Sequence, residues 1–173
     1  MLPHAFVREG TVLYMNNAVG GEVKNSIMDI HSLKEHFSYL GDSYVGRWVN
    51  IGGAGSVTSN LKNTIGIIRY MGIDTGMIKL GSIIGDWVKV GGINTSIMSG
   101  KYIGQGGSSV IGLIRRDVPP FSMCVNNDCE RFRIEKAVEV YRRFVELRRA
   151  RVNENEEALI KAVYEASLHE SPP

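Results

Sequence analysis

From Leu40 to Gly52 the chain reads Leu-Gly-Asp-Ser-Tyr, then Val-Gly-Arg-Trp-Val-Asn, then Ile-Gly, so an aliphatic residue followed by glycine returns every five or six positions. The pair recurs at Ile84-Gly85, Val90-Gly91, Ile103-Gly104 and Ile111-Gly112. An amphipathic helix needs apolar residues three and four apart, and a half-buried hairpin strand alternates every second residue. A six-residue period fits neither. It fits a triangular coil in which each hexapeptide forms one flat side, with its aliphatic residue inward and a glycine or other small residue at the corner. Three sides close one coil, and successive coils join through parallel ladders about 4.8 Å apart. The pattern therefore predicts a mainly β protein, a left-handed parallel β-helix of hexapeptide repeats over residues 1–122. Residues Leu61 to Lys79 lack the repeat and are read as a loop ejected from the coil. Gly52-Gly53 and Gly91-Gly92 read as one-residue bulges.

The period changes after Asp128. Ile134, Ala137, Val138, Tyr141, Phe144 and Val145 follow helical spacing, and Glu139 and Arg143 stand as an i, i+4 pair. Asn153 followed by Glu156 resembles a capping box opening a second helix through Ala158, Leu159, Ala162 and Val163. Residues 123–173 are thus expected to form an α-helical tail.

Composition narrows the class. The 173 residues are 43% hydrophobic and 22% charged, ordinary for a folded domain, and the 20 glycines without a Gly-X-Y period point to a chain that turns constantly. A net charge of +2 is too mild to predict nucleic acid or a membrane as partner. The N-terminus lacks the basic start and apolar core of a signal peptide, which makes the cytoplasm the expected location. Two cysteines, Cys124 and Cys129, cannot close a four-ligand zinc site and are read as reduced thiols, with one local disulfide as the alternative. Arg142-Arg143 and Arg148-Arg149 are interleaved with glutamates and read as a solvated helix face.

The stretch richest in chemistry is His36-Phe37-Ser38-Tyr39-Leu40-Gly41-Asp42-Ser43, which sets a histidine and a tyrosine beside a glycine corner. Together with Val23-Lys24-Asn25-Ser26, Val49-Asn50-Ile51-Gly52 and Asn60-Leu61, it resembles the C-terminal acetyltransferase domain of the bifunctional sugar-1-phosphate nucleotidylyltransferase and acetyltransferase family, particularly its archaeal form. The likeness covers roughly Phe6 to Pro120 and lacks the nucleotidylyltransferase domain. It implies acetyl transfer from acetyl-CoA to the amine of an amino-sugar 1-phosphate (glucosamine- or galactosamine-1-phosphate). His36 would be the general base, Tyr39, Asn50 and Asn60 would hold the sugar, and Arg8 and Lys24 its phosphate. Gly53 and Ala54 would lie at the acetyl-CoA and oxyanion position. A homotrimer is implied, with acetyl-CoA between neighbouring coils, and a separate nucleotidylyltransferase is a candidate partner. These roles suit the chemistry: an imidazole titrating near pH 6.5 can take a proton from an amine, and backbone N–H groups can meet the oxyanion.

The loop after Asn60 departs from the family pattern, leaving Lys62, Arg69 and Lys79 as substitutes for the family's lysines. That departure supports a second reading, a non-catalytic trimeric scaffold or regulatory partner. A third follows from His31 and His36 standing five apart, a spacing also used by zinc-dependent gamma carbonic anhydrases, with His4 as the remaining ligand.

Overall fold

The computed structural model describes residues 1–53, 57–58, 66–92 and 94–169. The chain winds as a left-handed parallel β-helix with three flat faces. The first face stacks Ala5–Val7, Gly21–Lys24, Tyr39–Gly41, Val57–Thr58, Ser96–Ile97 and Leu113–Ile114. The second stacks Val12–Leu13, Ile27–Met28, Tyr44–Val45, Ile83–Ile84 and Tyr102–Ile103. The third begins with Ala18–Val19, Leu33–Lys34, Asn50–Ile51, Lys89–Val90 and Ser109–Ile111. It runs on through Ser122–Val125 and closes with the antiparallel strand Asp128–Arg131. The helical part therefore starts at Ile134 and not at 123. Cys124 and Cys129 stand directly opposite in this closing hairpin and are joined as a disulfide, which corrects the expectation of free thiols.

The parallel register stacks identical roles. Val23, Leu40, Ile97 and Ile114 fill the core from the first face, and Met28, Val45, Ile84 and Ile103 from the second. Burying a column of such side chains is the main stabilising term, at about 1.5–3 kcal/mol for each one removed from water. The turns at the second corner are made differently from the hexapeptide reading. Positive φ falls on His31, Trp48 and Trp87, while Gly46 and Gly85 are glycines because a Cβ there would strike the next coil at Asp86 or Gln105.

Those corner residues form an aromatic seam onto which the tail docks. His31 stacks on Trp48 at 4.1 Å, Trp48 meets Phe144, Trp87 meets Tyr141, and Phe121 meets Tyr164. The helices are α1 (Ile134–Leu147) and α2 (Glu154–Ser167). The Asn153 side chain caps α2 by accepting from Asn155 N–H, but its own N–H is taken by Tyr141 Oη at 3.1 Å and not by Glu156. Glu156 instead faces Arg47 of the coil at 3.7 Å. The arginines of α1 stay exposed, as the interleaved glutamates imply, and pair with carboxylates: Arg142 with Glu157 of α2, and Arg143 with Glu139 of its own helix. No described helix is long and apolar enough to cross a membrane.

Between Val57–Thr58 and Ile83–Ile84 the chain leaves the coil. Residues Arg69–Tyr70 and Ile73–Asp74 pair there as a short antiparallel hairpin, tied by an exposed Arg69–Asp74 ion pair at 2.9 Å. Residues 61–65, including Lys62, lie outside the described residues. Both double glycines, Gly52-Gly53 and Gly91-Gly92, sit at the corner joining the third face to the first, with positive φ at Gly53 and Gly92.

Candidate functional site: the corner of His36

The third-to-first corner varies in length from coil to coil. Measured in register, the step across it is 4 residues from Ala18 to Glu22, 6 from Leu33 to Tyr39, 7 from Asn50 to Val57, 7 from Lys89 to Ser96 and 4 from Ser109 to Leu113. His36 lies in the first of the wide corners, directly above the tight Gly20-Gly21 turn. Its side chain is exposed and makes no hydrogen bond to a described residue. A ring so placed is accessible to a molecule bound at the corner.

On the first face two outward columns run beside this corner. One holds Phe6, Glu22 and Tyr39, and the other holds Arg8, Lys24 and Gly41. Alternation along each strand turns Val7, Val23 and Leu40 inward between them. Arg8 and Lys24 therefore stand one coil apart on the same face, and the Tyr39 ring lies across Gly41, where any side chain would strike it. Glu22 joins Arg8 by a 2.9 Å ion pair, and that hydrogen bond raises the guanidinium above its ordinary value. Arg8 is thus already partnered by a carboxylate, whereas Lys24 is half-buried beside it without an ion pair among the described residues.

Asn50 lies on the third face, outward in the same column as Leu33 and Lys89, on the strand that leads into the next wide corner. Gly53 is at the corner one coil above, with φ +66°. Ala54 and Asn60 lie outside the described residues. Arg69 is paired within the ejected hairpin, and Lys79 is exposed. His31 belongs to the aromatic seam at the second-to-third corner, where burial and then Arg148 lower its pKa. His31 and His36 occupy different corners. Among the described residues no three His, Cys, Asp or Glu side chains gather as a metal site.

Part of the motif proves architectural. Ser26 Oγ donates to Lys24 O and accepts Ser43 N–H, and Ser43 Oγ donates to Gly41 O and accepts Ser82 N–H, so the serines of Asn-Ser and Asp-Ser form a buried ladder. Asn25 Nδ2 donates to Asp42 Oδ1 at 2.8 Å at the same corner.

Two residues that the sequence reading passed over join the site. Glu22 pairs with Arg8. Lys34 is wholly buried, its Nζ donating to the carbonyls of Gly20 at 2.7 Å, Ser38 at 2.8 Å and His36 at 3.4 Å. Counting back six from the inward Leu40 lands on Lys34, and six more on the inward Met28, so strict periodicity carried the signal.

Comparison with known proteins finds relatives of the β-helix. No family model matches the chain. The bifunctional protein GlmU of Methanococcus maripaludis is 39% identical over 134 residues, covering 73% of this chain and 32% of that protein. Its namesakes from Thermotoga petrophila and Desulfitobacterium hafniense are each 35% identical, over 124 and 132 residues, covering 70% and 75% of the chain and 24% and 26% of their own length. Over its β-helix, the chain is homologous to part of these GlmU proteins. It spans about a quarter to a third of the length of these GlmU relatives. Among solved structures, serine acetyltransferase of Neisseria gonorrhoeae in complex with serine is 21% identical with a TM-score of 0.37, covering 74% of this chain and 40% of that one. The D94N mutant of the N-acyltransferase AntD of Bacillus cereus, in complex with dTDP and coenzyme A, is 13% identical with a TM-score of 0.32, covering 81% and 90%.

Proposed function

We propose that this chain is an acetyl-CoA-dependent N-acetyltransferase acting on the amine of an amino-sugar 1-phosphate, glucosamine- or galactosamine-1-phosphate. The observation that carries the reading is the stacking of Arg8 and Lys24 on the face that adjoins the exposed His36 corner. A phosphate with several oxygens suits two cations one coil apart, and holding it there orients the rest of the sugar. Lys24 is the principal phosphate contact, because Glu22 already occupies Arg8. Tyr39 covers the sugar from the same face, and Asn50 and Asn60 donate to its hydroxyls.

In this reaction the amine nitrogen attacks the thioester carbon while His36 accepts a proton from that nitrogen. The carbonyl oxygen becomes an oxyanion held by backbone N–H groups around Gly53 and Ala54. Collapse breaks the C–S bond, and the imidazolium returns its proton to the sulfur. The products are the N-acetylated sugar phosphate and coenzyme A with a free thiol. The exposed His36 corner by itself gives little burial for acetyl-CoA, and the working form is a homotrimer in the cytoplasm, in which a neighbouring copy covers that corner. A separate nucleotidylyltransferase would take the product onward.

The test is thiol release from acetyl-CoA over a panel of amino sugars with and without a 1-phosphate, beside a mass measurement of the protein in solution. Saturable turnover that requires both the amine and the phosphate, by a trimer, is expected. Absence of turnover with every amino-sugar phosphate tested would leave the scaffold reading in its place.

A further inference from the structure

We propose that Lys34 is the positioning residue of this site, its buried ammonium fixing from inside the coil the backbone from which His36 projects. The inference rests on His36 being the base, and it concerns how that base is held.

Lys34 occupies an inward position of the third face, in the column of Val19, Ile51, Val90 and Val110. For stability alone an aliphatic side chain is the better choice there, since burying a cation without a carboxylate partner is costly. What the lysine adds is directional. An ammonium has three N–H donors, and here they reach three carbonyls from two coils: Gly20 on the tight turn below, and His36 and Ser38 on either side of the wide corner. The gap it fills comes from the mismatch in corner length, a step of 4 residues lying under a step of 6. The corner is also pinned from below, as Gly20 N–H donates to Lys34 O at 2.7 Å and Glu22 N–H to Ser38 O at 3.0 Å. The backbone of His36 is therefore tied from beneath while its ring stays free at the surface.

The charged and titratable groups around Lys34 are few. Glu22 of the coil below favours its charged form, and Glu35 and His36 belong to its own corner. Burial dominates and lowers the lysine to about 8. A neutral amine keeps only two N–H donors, so one of the three carbonyls loses its bond as the pH rises through that value.

The experiment is Lys34→Met in the full chain, a length-matched apolar replacement, alone and combined with His36→Ala. Expected are a kcat roughly 100-fold lower, the scale of a misplacement near 1 Å, and a KM for acetyl-CoA within about twofold of the unmodified protein, because the cosubstrate contacts are untouched. The unmodified protein should lose activity on an alkaline limb centred near pH 8, and Lys34→Met should lack that limb. In the His36→Ala background Lys34→Met should change kcat no further, since the residue it positions is gone. A protein merely less folded would lose active fraction without changing its pH profile. Lys34→Met with unchanged kcat and profile overturns the inference, and so does an unmodified protein with no alkaline limb, a result that holds even if the variant does not fold. His36→Ala with full activity would instead remove the base itself, a separate failure.

Discussion

Gly21→Ala tests the closeness of the two corners on which the site depends. Gly21 is buried at φ +63°, and a Cβ there would lie 2.7 Å from Ser38 O, 2.8 Å from Ser38 N and 3.1 Å from Lys34 Nζ. The left-handed backbone costs an alanine about 1–2 kcal/mol. Relieving the contact means moving the Ser38 peptide by about 0.7 Å to reach ordinary van der Waals distance, and overpacking of this kind costs about 1–3 kcal/mol more. The total is about 2–5 kcal/mol. Gly72 is the control, because it also has positive φ, +81°, but its Cβ would meet nothing within 4 Å. Gly72→Ala should therefore show the backbone cost alone. Ser38 lies two residues from His36, so the same displacement should also lower kcat by roughly tenfold or more. Urea denaturation of both variants, with acetyl-transfer kinetics, measures the two effects. Equal destabilisation by Gly21→Ala and Gly72→Ala, or an unaffected kcat in Gly21→Ala, would refute the packing of the His36 corner onto the glycine turn.

Three further outcomes follow from the geometry. Phe121→Ala removes a fully buried ring packed edge-on to Tyr164 at 5.0 Å; a loss of about 3–5 kcal/mol is expected, read from the unfolding midpoint. Arg142 holds the Glu157 carboxyl below its ordinary value of 4.5, so this pair stabilises the docked tail above that pH and ceases to as the pH falls through the lowered value. Arg142→Met should flatten the acid side of the stability profile of α2 followed by hydrogen exchange. Lys24→Ala should raise the KM for the amino-sugar phosphate by roughly 10–100-fold with kcat much less affected, as loss of uniform phosphate binding requires.

The architecture was readable because a six-residue period has few physical solutions, and Val45, Ile84 and Ile103 stand inward where the aliphatic-Gly pairs put them. The pairs say less about the corners. Positive φ at Trp48 and Trp87 depends on how successive coils meet, which no local window contains. The same holds for the tail: the aromatic character of His31, Trp48, Trp87 and Phe121 was visible, but their common corner follows only from the register. At the site, Arg8, Lys24, Tyr39 and the His36 corner come together because three successive coils stack in phase. Lys34 is hard to find in the sequence because a lysine is ordinarily a surface residue, and its burial becomes legible only when the inward column is counted through it. The disulfide depends likewise on a hairpin that sets Cys124 opposite Cys129.

The most direct test is the ratio of kcat between the unmodified protein and a folded His36→Ala variant, both saturated with acetyl-CoA and an amino-sugar 1-phosphate. General-base catalysis at this corner predicts a loss of about 10²–10⁴-fold, with the melting temperature little changed because the ring is exposed and unbonded among the described residues. A His36→Ala protein that acetylates the amine as fast as the unmodified one would contradict the assignment of this corner as the catalytic centre.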